Sequence, residues 1–596
     1  MNVQSIASHA FAPQPLVNRV LASVLSALMI TGAMIATPVY ASAETVAKPH
    51  HEGTARSTAP PGGFEAVMSF EVGDGPGRLG IAGGEEFETW GPASFAVDEK
   101  GRFYVVDGVN GRIVIADPTG GSQVAIAWDA PVVCPVDIEV VSGRIFVLDL
   151  PAQPAAVHEI CESGTAVATW EVPAEHLEHG VSGLDVRLDR SGAPDIRLEI
   201  AGTWHVPLAT RGARPARLPA VIDGAVMRVP AAAAASVAIE RGNAGRAFSA
   251  EKDWATGRSA NVTALSQGRA VAVMRVDSRS PLGAVRYVDS DRSGNAYVYA
   301  EDLVGTGERV RAFVKRYEPD GAPAARFEIP VTDFVAHPMR PIRIAEDGTA
   351  YVLVPRADRV SIVRAQWIFD TSEALPASDD EAPATRESLS LREGVDGVFG
   401  SIAATVRSVF TPQEAVASWT PLNANDRAWT YVRHAWYCST RNFATRNGSQ
   451  RPRYITSANR NYTAVPYCWG GFDTTWSYNS AMSAGHSAGD INCTGTKRSG
   501  TAGVDCSGFV SRLWGLGRKY GTWELPNVSR SVSKTAMRLG DAYVWPGRHC
   551  MFFRYYTTGG SQLFESTKTS SYDRVVTMSR TSAALANYGA FRYRNW

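Results

Sequence analysis

Cysteine is scarce in this chain, 7 residues in 596, and no two stand as Cys-x-x-Cys. Without that spacing a zinc site is not expected, and no motif implies any other cofactor. Net charge is absent as well, 59 Lys and Arg against 59 Asp and Glu. No compact basic run resembles a nucleic-acid module, so nucleic acid is not an expected partner. Past the first 43 residues no segment is apolar for long enough to cross a bilayer. At this length a single core is also excluded, and two or more domains are expected.

The one long apolar stretch follows Arg19 and runs from Val20 to about Ala36, with Ala41-Ser42-Ala43 as a small-residue cleavage site. Residues 1–43 read as a signal peptide. A membrane anchor is the alternative, but Thr31, Gly32, Thr37 and Pro38 interrupt the run and favour cleavage. Residues 44–69 read as a flexible, polar leader. A secreted or periplasmic protein is expected, with no membrane span after cleavage and in a compartment that permits disulfides.

From 70 to 368 the chain repeats itself. Gly91 to Asp98 leads through Gly101-Arg102-Phe103-Tyr104-Val105-Val106-Asp107 to Asn110-Gly111-Arg112-Ile113. Related strings surround Gly294 and Gly348, and weaker ones Gly143 and Gly192. Each alternates apolar and polar residues, turns at an Asp/Gly cluster and alternates again, the pattern of short antiparallel strands. The spacing of these glycines predicts about six units of roughly 40–55 residues, and so an all-β propeller with one four-stranded blade per unit. An array of β-sandwiches is the alternative. The strings resemble NHL repeats. Residues 369–410 are acidic and Pro/Ala-rich, a linker, with one short helix expected over 398–409.

The overall neutrality hides an asymmetry. Residues 415–596 carry 22 Lys and Arg against 8 Asp and Glu. Such a surface aids solubility, or it steers the domain to an anionic polymer.

Seven is an odd number, so one cysteine is expected as an unbridged thiol. Cys506, in Val504-Asp505-Cys506-Ser507-Gly508-Phe509-Val510, opens a predicted helix capped by Asp505. Phe509, Val510, Leu513 and Trp514 share its face, which would bury it against a sheet. The positive end of the helix dipole favours thiolate, and Gly508 leaves room beside the sulfur for a substrate backbone. An ordinary buried core cysteine is the competing reading. His549, the one histidine after Cys506, begins a predicted strand and is a candidate base. Glu565, inside the next strand, is the first charged residue able to orient the imidazole. Strand alternation puts Glu565 on the opposite face from His549 unless a bulge or an odd-length loop intervenes.

Tyr467-Cys468-Trp469-Gly470-Gly471, then Asp505-Cys506-Ser507-Gly508-Phe509, then Gly540-Asp541 through His549, resemble the NlpC-type cell-wall peptidases. The resemblance covers roughly 420–596 and implies a papain-like α+β domain, 411–596, after the propeller. It implies Cys506 as nucleophile, His549 as general base and Glu565 in the third polar position. Tyr467 would line the site, and the Cys506–Ser507 segment would help hold the oxyanion. The chain departs from the family in an insertion of about 33 residues between Gly471 and Asp505, which holds His486 and Cys493, and in Glu at the third position. The implied activity is hydrolysis of an amide bond in peptidoglycan stem peptides, with the propeller as binding platform and a possible protein partner on it. The implied partner is peptidoglycan or another anionic envelope polymer. A CHAP-like amidase and a non-catalytic wall-binding protein are the alternatives. The remaining cysteines would form three bridges: Cys134–Cys161 in the propeller, Cys468–Cys493 tying back the insertion, and Cys438–Cys550 by elimination. An independently folding C-terminal domain, tethered by the linker, is expected.

Overall fold

The computed structural model describes residues 63–84, 87–119, 123–200, 203–208, 247–266, 269–305, 307, 309–377 and 420–596. The expected signal peptide, the expected leader up to residue 62, the expected linker from 378 and the expected helix at 398–409 lie outside the described residues.

The described residues between Phe64 and Phe369 are mostly strands, with short helical turns at Ala174–Leu177 and Val331–Asp333. Among the described residues six sheets succeed one another. The first holds Phe95–Val97, Phe103–Asp107, Arg112–Ala116 and Val124–Ala127, and the second Asp137–Val141, Arg144–Asp149, Ala156–Ile160 and Ala166–Glu171. Two three-stranded sheets begin at Val181–Leu188 and Ala247–Lys252. The fifth contains Leu282–Ser290 through Pro323–Ile329. The sixth combines Ile342–Ile344, Ala350–Pro355 and Arg359–Ala365 with the first described strand, Phe64–Val72. Neighbouring sheets touch in succession, the third and fourth through Thr203–Pro207 and Ala247–Lys252, and Ile342–Ile344 returns to Phe95–Val97. This closure makes the arrangement propeller-like and rules out a row of sandwiches.

The turn glycines do what the repeat required. Gly101, Gly143, Gly192, Gly294 and Gly348 all have φ between 74° and 84°, a region costly for any residue with a Cβ. The axis is closed by charge. Asp137 accepts from Ser94 Oγ, from the Leu184 amide at 2.7 Å, and from Arg340 and Arg343 at 3.1 and 3.0 Å. One carboxylate thereby links four sheets. Burial pushes its pKa up, yet the two guanidinium groups hold it below the usual carboxylate range.

Two boundaries move. The last six residues of the expected leader, 64–69, begin strand Phe64–Val72, which pairs with Arg359–Ala365. The expected linker begins with Phe369, paired on the fifth sheet, and includes Leu375, buried against the fourth and fifth. Composition flagged these stretches as loose, but a ring needs a strand from one end of the chain to complete its last sheet.

Residues 420–596 hold a six-stranded antiparallel sheet in the order Ser529–Ser531, Gly589–Tyr593, Ala542–Trp545, His549–Thr557, Gly560–Thr567, Arg574–Arg580. Helix Cys506–Leu513 packs on one face, with Phe509, Val510, Leu513 and Trp514 fully buried as their spacing predicts. Strands outnumber helices here too. Among the described residues no helix is long and apolar enough to cross a membrane.

This part is not tethered at a distance but docked on the ring. Tyr572 and Val576 belong to the same apolar core as Val136, Leu148, Leu184 and Leu198. Arg574 donates to the carbonyls of Pro151 and Leu150, at 2.7 and 3.1 Å. The Glu301 carboxylate accepts the amides of Ser582 and Ala583, at 2.8 and 2.9 Å. A sequence read for composition carries no trace of such a shared core.

Candidate active site

Asp505 organises the turn into the Cys506 helix. Oδ1 accepts the Gly508 amide at 2.7 Å, as an N-cap should, while Oδ2 accepts the Gly470 amide at 2.9 Å and meets Lys519 Nζ at 2.6 Å. The cap thus staples the Tyr-Cys-Trp-Gly-Gly loop onto the helix. Gly508 is required by the chain itself. A Cβ there would stand 2.0 Å from the Gly471 carbonyl oxygen, so the close backbone approach expected of a substrate is made by the protein. Ser507 is also spent on the cap, its hydroxyl 3.2 Å from Asp505 Oδ1. Its side chain is therefore not an oxyanion donor.

Cys506, His549 and Glu565 come together. His549 Nε2 lies 2.8 Å from Glu565 Oε2. The two share a face because the register of their strands slips by one residue between Phe553 and Tyr555. Phe552 pairs with Phe564 and Phe553 with Leu563, which puts Glu565 on the face of Met551 and His549. The required bulge is present. With Nε2 committed, Nδ1 is the ring atom left; it makes no hydrogen bond, and Cys506 is the neighbour that acts on the ring together with Glu565.

Burial alone would lower His549, but contact with Cys506 and then with Glu565 raises it to about 10. Burial would raise Glu565, but Arg580 and then His549 hold it at about 2. The Cys506 thiol is pushed well above its ordinary value, first by burial and then by the neighbouring Cys550 thiol, against the pull of His549. Burial thus opposes the thiolate that the helix dipole favours, and the thiol and the imidazole titrate as a coupled pair.

Tyr467 stands in the same cluster, its hydroxyl 3.8 Å from Cys493 Sγ, which Lys568 Nζ approaches to 3.4 Å. The insertion therefore supplies part of the site. Trp469 Nε1 fixes it by donating to the Gly495 carbonyl at 2.8 Å. His434 is elsewhere, bonded to Asn479 at 2.8 Å. Cys506, Tyr467 and Glu565 are 0% exposed and His549 1%. Among the described residues no cluster of His, Cys, Asp and Glu is arranged to hold a metal ion.

None of the seven cysteines is in a disulfide. Cys134 and Cys161 sit at opposite ends of one sheet. The Cys134 amide bonds Asp149 at 3.3 Å, at one end of strand Arg144–Asp149, and Ile160 pairs with Ile145 at the other. At ~3.3 Å per residue they are more than ~10 Å apart, beyond bridging reach. Cys468 turns toward Thr501 Oγ1 (3.4 Å), away from the side on which its neighbour Tyr467 meets Cys493. Cys550 lies beside Cys506, not Cys438.

The sequence reading missed a second layer. Arg580 grips Glu565 through Nη2 at 3.0 and 3.2 Å, and its Nη1 is 2.7 Å from Oε2 of Glu88. Glu88 belongs to the ring's hairpin Ala82–Gly84/Phe87–Trp90. The same hairpin offers the Gly84 carbonyl to Arg548 at 3.1 Å and the Phe87 ring to Lys568 at 4.1 Å. Strand alternation could have flagged Arg580 as sharing the Glu565 face. Nothing local could have flagged Glu88.

No family model matches this chain, and no curated protein matches it. Solved structures do. A DUF4221 member from Bacteroides vulgatus is 11% identical with a TM-score of 0.30, over 52% of this chain and 98% of its own. Virginiamycin B lyase from Staphylococcus aureus is 12% identical with a TM-score of 0.29, over 48% and 99%. The PQQ-bound aldose sugar dehydrogenase from Streptomyces coelicolor is 12% identical with a TM-score of 0.28, over 48% and 99%. These neighbours are propeller-like.

Proposed function

We propose that the chain is an exported cysteine hydrolase that cleaves an amide bond in peptidoglycan stem peptides. In this reading residues 420–596 form a papain-like, NlpC-type domain and the ring is an NHL-like propeller. The observation that carries it is the Cys506–His549–Glu565 set: a thiol at a capped helix N-terminus, an imidazole at the start of a strand and a carboxylate orienting that imidazole. Cys506 attacks the carbonyl carbon, His549 gives its proton to the leaving amine, and water resolves the thioester. Backbone N–H groups at the helix N-terminus and the Tyr467 hydroxyl are the groups placed to hold the oxyanion. The excess of Lys and Arg over 415–596 suits an anionic wall polymer.

The complete burial of the thiol favours a second reading, a wall-binding protein that no longer turns over. One experiment separates them. Purified cell wall is digested with the native protein and with Cys506→Ala, and soluble products are identified by mass. Release of cleaved stem peptides by the native protein alone supports the peptidase reading. Release of intact stem peptides from the glycan indicates a CHAP-like amidase, and no release the binding reading.

A further inference from the structure

We propose that Glu88, carried by the ring, is a positioning residue for the Cys506–His549–Glu565 set, so that the ring completes the site chemically as well as covering it.

The geometry is a relay of four side chains. Glu88 Oε2 lies 2.7 Å from Arg580 Nη1, Arg580 Nη2 lies 3.0 Å from Glu565 Oε1, and Glu565 Oε2 lies 2.8 Å from His549 Nε2. Glu565 and His549 are fully buried, Glu88 is 5% exposed and the side chain of Arg580 11%. The guanidinium hydrogen-bonds Glu565 and pairs with Glu88 by charge alone, so its charge is divided between two carboxylates. With Glu88 present the fixed charges behind His549 sum to −1. Without it they sum to zero, and Arg580 is left wholly to Glu565, drawing that carboxylate away from the imidazole.

The other groups around this relay do not replace Glu88. His549 faces Cys506 from the helix, with Cys550 beside that thiol, and its ring meets Tyr588 edge-on at 6.5 Å. Tyr588 is a phenol raised well above its usual value by burial and then by Glu88, so it stays neutral. His337, near Arg580, is lowered to about 4 by burial and then by that guanidinium, and is neutral too. Tyr572, also close, is raised by burial and stays a neutral phenol. Glu88 is thus the carboxylate opposite Glu565 on Arg580.

The kinetic arm of the test rests on the hydrolase reading, and the spectroscopic arm does not. In the full chain labelled with 13C at histidine Cε1, the His549 titration is followed by NMR for the native protein, Glu88→Gln and Glu88→Asp. Glu88→Gln should lower the midpoint by about 0.5–1 pH unit, and Glu88→Asp, which keeps the charge, should stay near the native value. Both limbs of the kcat/KM profile on a stem peptide should move the same way, with kcat about tenfold lower and KM little changed. An unmoved midpoint in Glu88→Gln, or an equal shift in Glu88→Asp, overturns the proposal. If Glu88→Gln does not fold, Arg580→Gln is compared with Arg580→Gln/Glu88→Gln, where no unpaired guanidinium remains. Because Glu88 acts through Arg580, these two variants should share one midpoint, and a midpoint that still falls on loss of Glu88 overturns the proposal. A native protein that hydrolyses nothing but shows the NMR shift defeats the hydrolase reading alone.

Discussion

His549 and Glu565 meet at 2.8 Å only because their strands lose register by one residue after Phe553. Restoring a regular ladder would turn the carboxylate to the helix-facing side and leave the imidazole unsupported. Glu565→Ala should therefore lower kcat by about 100-fold or more while thermal melting still shows a cooperative fold. Retained activity in that variant would show that Glu565 does not orient His549.

Cys506→Ala and Cys506→Ser should reduce turnover by at least about 1000-fold. Because the exchanged atoms are few, stability should change by about 1 kcal/mol. Full hydrolysis by either variant, measured on the same wall preparation, would remove Cys506 from the chemistry.

The pH dependence of stability has two opposite flanks. Glu565 is depressed to about 2, so its contribution is present above its unfolded value of ~4.3 and is lost as pH falls toward 2. His549 is raised to about 10, so its contribution is complete below ~6.5 and is lost as pH rises through 10. The gap in urea midpoint between the native protein and Glu565→Gln should be widest near pH 5–6.5 and narrow on both sides. A gap that grows steadily with pH would contradict this charge assignment.

Cys550 is one cause of the raised Cys506 thiol. Cys550→Ala should move the acid limb of kcat/KM to lower pH by about half a unit. An unchanged limb would mean that burial alone sets the thiol.

Thiol titration of the denatured, unreduced protein should count seven thiols, since no disulfide is present. A count of one would restore the three bridges expected from the sequence.

What was legible follows from range. The helix at Cys506, its cap and its buried face are written within ten residues, and the turn glycines of the ring within four or five. Period-two alternation even stated the condition for Glu565, a bulge, without locating it. The contacts of Glu88 with Arg580 and of Glu301 with Ser582 span hundreds of residues, and no local pattern encodes them. The disulfide pairings failed for the same reason, because parity of count says nothing about which way two thiols point.

The ring is closed by its two ends, with Ser69 Oγ 3.0 Å from Ser361 Oγ across 292 residues of chain. A ribosome makes the first of these strands long before the second, so the nascent chain carries an unmatched edge until residues near 365 emerge. Closure is then a slow, long-range event, and two open chains can satisfy each other's edges in an exchanged dimer. The hairpin with Glu88 follows the waiting strand directly, whereas Cys506, His549 and Arg580 are made after the strand that lets the ring shut. Order of synthesis thus becomes a clock that offers the thiol chemistry a surface already able to close.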